Sequence, residues 1–284
     1  MKRISLALIT GTFVAGLFAC GNQASTTTAK KEDSTMNETS AVSASIKEEP
    51  VSYTAGNTSL KGYVAYDEKK QGPRPVVLVV PEWWGMTDYP RMRAKMLAEM
   101  GYLAMAVDMY GDGKIAPNPD EAQKSAMPFY QNPQMAKERL DAALAKVRSM
   151  PQADTAKTIA IGYCFGGSMV LNYAKMGAPV LGVVSFHGGL QGVPPHKGTK
   201  AQFLVCHGGA DSFVPQDQVN AFRKSMDSAG VAYDFKVYEG ATHAFTNPDA
   251  TEKGKQFNMP IRYNGAADTA SWNDMKAFFG KILK

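Results

Sequence analysis

The chain alternates between two kinds of pattern. Short apolar runs rich in β-branched residues are each followed by a longer stretch in which apolar positions recur every three or four residues. The runs at 75–80, 102–107, 158–161, 179–186, 201–206 and 233–238 predict strands. The unbroken ones, such as Pro-Val-Val-Leu-Val-Val at 75–80, have no polar face and suit a parallel sheet covered on both sides. Residues 62–66 alternate instead, as an edge strand does. Helical spacing is predicted over 89–100, 119–130, 133–150, 216–229 and 269–283, and from the glycine-rich turn after 161 to about residue 175. Strand and helix in repetition predict an α/β class, a mostly parallel central sheet with helices on both faces. Functional groups in such sheets collect at the carboxyl ends of strands. Glu82, Tyr110, Cys164, Asp211 and His243 each follow a predicted strand directly.

The first fifty residues break the alternation. Met-Lys-Arg, an apolar run over 4–18 and a small residue at Ala19 describe a secretory signal over 1–19. The run is too short to span a bilayer, which takes about 20 apolar residues. Leu17-Phe18-Ala19-Cys20-Gly21 resembles the lipobox of bacterial lipoproteins, which implies lipidation of Cys20. The chain would then be exported and held at a membrane, on its periplasmic or cell-surface face, without crossing it. Residues 20–50 are Ser, Thr, Ala, Lys and Glu with almost no large apolar side chain, so a tether is expected there and a folded domain over 51–284.

Composition narrows the partners. At 284 residues and 44% hydrophobic, one α/β domain with one large core is expected, as a monomer. The formal charge of +5 is not gathered into a basic stripe and no aromatic–basic interleaving occurs, which argues against nucleic acid. Cys20, Cys164 and Cys206 are far apart with no Cys-x-x-Cys, so neither a metal nor any other cofactor is expected.

The strand at 158–161 runs into Gly162-Tyr-Cys164-Phe-Gly-Gly and then a helix, the layout of a nucleophile elbow with a thiol at its tip. Glycines flank the tip because a Cβ would clash in so tight a turn. Cys164, Asp211 and His243 then follow the chain order nucleophile, acid, histidine, each after a strand. His187 and His207, both before Gly-Gly at strand ends, are read as residues that satisfy backbone groups. Cys206 closes an apolar strand and is read as a buried, inert thiol. Ser168, one turn past the tip, should point into packing.

Taken together, Glu82-Trp-Trp-Gly, Gly162-Tyr-Cys164-Phe-Gly-Gly, His207-Gly-Gly-x-Asp211 and His243-Ala-Phe resemble the dienelactone hydrolase family. The resemblance implies an α/β-hydrolase sheet whose Cys-His-Asp triad, Cys164, His243 and Asp211, hydrolyses esters or lactones. It further implies that Glu82 hydrogen-bonds the resting thiol and that the backbone N–H groups of Trp83 and Phe165 receive the oxyanion. The family's arginines for a substrate carboxylate are missing: the corresponding stretches read Tyr110-Gly-Asp and Phe245-Thr-Asn. A pocket built with Trp83, Trp84, Tyr110 and Phe245 is expected instead, for neutral or aromatic esters. The alternative is a non-catalytic surface lipoprotein that uses the fold to bind a ligand or partner.

Overall fold

Eight strands form one sheet in the order β1-β2-β4-β3-β5-β6-β7-β8. The computed structural model describes residues 44–284, so the signal and Cys20 lie outside the described residues. The strands are β1 (Ile46–Ala55), β2 (Thr58–Asp67), β3 (Arg74–Val80), β4 (Leu103–Ala106), β5 (Ala153–Tyr163), β6 (Gly182–Phe186), β7 (Gln202–Gly208) and β8 (Tyr233–Tyr238). β1 and β2 are antiparallel, and β2 also meets β4 antiparallel; β3 to β8 run parallel. The helices are α1 (Asp88–Glu99), α2 (Pro119–Gln131), α3 (Pro133–Arg148), α4 (Phe165–Lys175), α5 (Gln216–Ala229), α6 (Ala250–Gln256) and α7 (Gly265–Ile282). This is the α/β-hydrolase arrangement expected from the alternation of patterns.

Two apolar layers hold the sheet. Val76, Leu78 and Val80 of β3 face the layer formed by α2 to α5, while Val77 and Val79 face α1 and α7. All five are fully buried, which is why the run could carry no polar side. Burying such a side chain is worth about 1.5–3 kcal/mol before entropy is counted. Asn118 and Asn132 accept from the N–H groups of Glu121 and Gln134, so the expected break between α2 and α3 falls at a helix cap.

The boundaries differ at both ends of the domain. The domain starts before Val51, because β1 begins at Ile46 and pairs with β2 along its whole length. Lys47, Glu48 and Pro50 read as tether, yet an edge strand with solvent on its outer side tolerates charge and proline. β2 is therefore an inner strand, not the edge. α7 begins at Gly265 rather than 269, since Asn264 Oδ1 caps it by accepting from the Ala267 N–H at 3.1 Å. The short, charged α6 had no apolar period to reveal it.

β3 has β4 on one side and β5 on the other, so the chain's winding reverses there. At such a switch point a crevice opens beyond the carboxyl ends of the strands.

Candidate active site

The tip of the elbow is strained and tightly walled. Cys164 sits between β5 and α4 with φ 53° and ψ −115°, a left-handed backbone that costs a non-glycine residue about 1–3 kcal/mol. A Cβ on Gly162 would lie 2.1 Å from the Gly166 carbonyl oxygen, and one on Gly166 would lie 2.3 Å from that of Val80. Both glycines are thus required by close backbone approach. The Cys164 N–H donates to Phe186 O at 2.9 Å and to His187 Nδ1 at 3.1 Å, which ties the strained residue to the end of β6. Its thiol stays half-buried and reachable.

Asp211 and His243 reach the same place from β7 and from the loop after β8. The Ala210 N–H donates to Ala241 O at 2.9 Å, so these two loops are laced together. His243 Nδ1 lies 2.8 Å from Asp211 Oδ2, with the Asp211 side chain fully buried. Asp211 Oδ1 also accepts from the Phe213 N–H at 2.9 Å, so one carboxylate caps its own turn and orients the imidazole. That leaves Nε2 of His243 for the Cys164 sulfur, which shares a cavity with it. Burial opposes charging of this imidazole, but the Cys164 side chain and the Asp211 carboxylate outweigh it and push its pKa up to about 10. The arrangement favours an imidazolium facing the Cys164 sulfur.

Glu82 is in the cavity wall but not bonded as the resemblance implied. Its Oε2 accepts from Asn247 Nδ2 at 2.6 Å, and no hydrogen bond joins it to Cys164 among the described residues. The amide supplies two buried donors next to the carboxylate, and the thiol has no comparable donor to offer. Burial pushes the Glu82 pKa up, with Asn247 pulling in the other direction. Among the described residues neither the Trp83 nor the Phe165 N–H enters a turn or cap hydrogen bond.

The cavity holds about 370 Å³, with Trp83, Trp84, Met127, Tyr130, Phe213 and Ile261 among its walls. No arginine or lysine is among its lining residues. Tyr110 and Phe245 do not line it. Tyr110 Oη donates to Trp83 O at 2.9 Å and so holds the Trp83 peptide in place. Phe245 is fully buried beneath the site, its ring 5.2 Å from that of His187.

A buried network under the site was only partly visible in the sequence. His187 accepts the Cys164 N–H as expected of a backbone-satisfying residue, and its Nε2 meets Thr246 Oγ1 at 2.7 Å. Thr246 Oγ1 is 2.6 Å from Tyr89 Oη, Arg93 Nη2 donates to Thr246 O at 2.7 Å, and Arg93 pairs with Asp268 at 2.6 Å. Burial, followed by the charges of His243 and Arg93, holds the His187 pKa well below its usual value, so the ring is neutral. His207 forms no such bond and packs its ring 5.7 Å from Phe235. Cys206 is buried as expected, its thiol pushed up to about 12 by burial. Ser168 is likewise buried. Among the described residues no group of three or more His, Cys, Asp or Glu is placed to hold a metal ion.

A sequence profile of the dienelactone hydrolase family matches residues 60–283. The chain belongs to the dienelactone hydrolase family. Its members hydrolyse esters or lactones, and this chain is such a hydrolase. A Methylorubrum extorquens relative that carries a carboxymethylenebutenolidase name is 31% identical over 187 residues, 61% of this chain and 64% of its own length. Protein usf of Aquifex pyrophilus is 30% identical over 240 residues, 82% of this chain and 98% of that protein. A crystal structure described as a dienelactone hydrolase-like promiscuous phosphotriesterase from metagenomic libraries superposes with TM-score 0.78 and 32% identity, over 84% of this chain and 98% of that one.

Proposed function

We propose that this dienelactone hydrolase family member cleaves neutral or aromatic carboxylic esters, and lactones of that character, through Cys164, His243 and Asp211. The observation that carries the reading is the Asp211–His243 pair, at 2.8 Å, sharing an apolar cavity with a thiol on a strained strand-to-helix turn. Cys164 Sγ attacks the carbonyl carbon, a C–S bond forms and the carbonyl π pair moves to oxygen. The N–H groups of Trp83 and Phe165 receive that charge, and losing one such donor typically costs about 10²–10³ in rate. As the intermediate collapses the C–O bond breaks, and His243 gives its Nε2 proton to the departing alkoxide. Water then attacks the thioester, His243 takes its proton, the C–S bond breaks and the acid leaves with thiolate and imidazolium restored. Asp211 holds the tautomer throughout. Glu82, the carboxyl on the cavity wall, faces the His243 charge and helps to hold the imidazolium for proton donation.

The same proposal includes export and anchoring through a lipidated Cys20, which rests on the signal and lipobox sequence alone. The catalytic part is tested with p-nitrophenyl acetate. Cys164→Ala, folded by circular dichroism, should show no hydrolysis, and His243→Ala should slow alkylation of Cys164 by iodoacetamide. Full activity in Cys164→Ala would remove Cys164 as the nucleophile. A wild-type protein inert to a panel of esters would favour a binding role instead.

A further inference from the structure

One stripe of α2 lines the cavity, with Ala126 at its core-facing margin. Gln123, Ala126, Met127 and Tyr130 all line it, and their spacing of i, i+3, i+4 and i+7 makes one helical stripe. Met127 and Tyr130 are nevertheless 39% and 44% exposed, and Phe213 across the cavity is 49% exposed. Three of the seven exposed large hydrophobic residues among the described residues therefore ring one cavity. Exposed apolar side chains gathered at a cleft mark a surface that a ligand covers.

The site gives that surface a direction. A leaving oxygen must lie near His243 Nε2 to take its proton, so the alcohol part falls on the His243 side. Phe213, whose ring is 5.1 Å from that of His243, and Ile261, bridged to the His243 backbone, occupy that side. The Tyr130 ring is 5.7 Å from that of Phe165, the residue after the nucleophile, so the α2 stripe borders the Cys164 end of the cavity, and no ring contact joins it to His243 among the described residues. We infer that α2 is the acyl subsite, and that the enzyme prefers esters with an extended apolar acyl chain laid along Ala126, Met127 and Tyr130. The stripe from 123 to 130 runs about 10 Å along the helix. Methionine and aromatic walls suit a flexible chain, and the exposed rim leaves its far end open. The inference rests on the ester-hydrolase reading above.

Values of kcat/KM are measured for p-nitrophenyl acetate, butyrate and octanoate with wild type, Met127→Glu, Phe213→Glu and Met92→Glu. Met92 is a 38% exposed methionine on α1, not among the residues that line the cavity, and serves as the control. Each buried methylene can raise kcat/KM by at most about fourfold, so the wild type should favour octanoate over acetate by about tenfold or more. Met127→Glu should cut that preference by about tenfold, while Met92→Glu and Phe213→Glu keep it. A flat or falling wild-type profile overturns the acyl assignment. So does an equal change in Met127→Glu and Met92→Glu, or a change in Phe213→Glu alone. Acetate turnover in those cases leaves the hydrolase reading standing; no turnover of any ester overturns the hydrolase reading itself.

Discussion

Glu82 sets the first trade between stability and chemistry. Burial holds its folded-state pKa above the unfolded value, so folding disfavours the charged carboxylate. Stability from this group is present at low pH and is lost as pH rises through the folded pKa, the reverse of a salt-bridged carboxylate. Glu82→Gln keeps the contact to Asn247 without a buried charge. It should raise stability at neutral pH by about 1 kcal/mol in urea titration while slowing ester hydrolysis by about 10²-fold. His243 has the opposite sign. Its folded pKa is raised to about 10, so its contribution is complete below the unfolded value of 6.5 and is lost as pH rises toward 10. The stability difference between wild type and His243→Gln should therefore shrink between these limits. In a Cys164→Ala background it should start smaller, because the Cys164 side chain is the foremost cause holding the pKa up. Urea titrations across that window decide it, and a difference that grows with pH contradicts the raised His243 pKa.

At the scale of elements, the elbow joins β3, β5, α4 and β6 chiefly through close backbone approach. A Cβ on Gly166 meets Val80 O at 2.3 Å and Pro81 O at 2.6 Å, and these residues lead into Glu82 and Trp83. Gly166→Ala must move that segment, so kcat for p-nitrophenyl acetate should fall by about 10²-fold or more even if the protein still folds. Thr246→Val tests the network below, since it leaves the His187 Nε2–H and the Tyr89 hydroxyl buried without Thr246 Oγ1. A loss of about 1–3 kcal/mol in thermal or urea unfolding is expected; a neutral effect means the network is not fully desolvated. These elements were unequally legible in the sequence. α5 and β8 match their predicted spans because period and caps agree there, and Gly230 ends α5 in a left-handed turn. β1 was hidden because Lys47 and Glu48 have no core face to declare it. The thiol, acid and histidine could be found because each follows a strand directly. Thr246 meets Tyr89 and His187, and Asn247 meets Glu82, across long stretches of chain, and no local period encodes those meetings. Tyr110 and Phe245 were expected to wall the pocket, but the Tyr110 hydroxyl bonds Trp83 O and the Phe245 ring packs on His187, a choice that only packing makes.

The whole molecule places its chemistry at one rim of the sheet, at the winding reversal around β3. Its lining there is apolar, free of arginine and lysine, and edged by partly exposed Met127, Tyr130 and Phe213. Such a rim would meet its substrates best where apolar esters concentrate, at a membrane surface, and a lipidated Cys20 would hold the enzyme there. Attachment and catalysis should be separable, because Cys20 precedes the domain that carries Cys164, His243 and Asp211. Cys20→Ser in the full chain should move the protein from the membrane fraction to the soluble fraction. Its kcat/KM for water-soluble p-nitrophenyl butyrate should stay that of wild type. For octanoate presented in vesicles the turnover should drop, since the anchor supplies the local concentration. Unchanged fractionation of Cys20→Ser would sink the anchor, and an equal loss on soluble and vesicle-borne esters would mean that the residue before the domain acts on its fold instead.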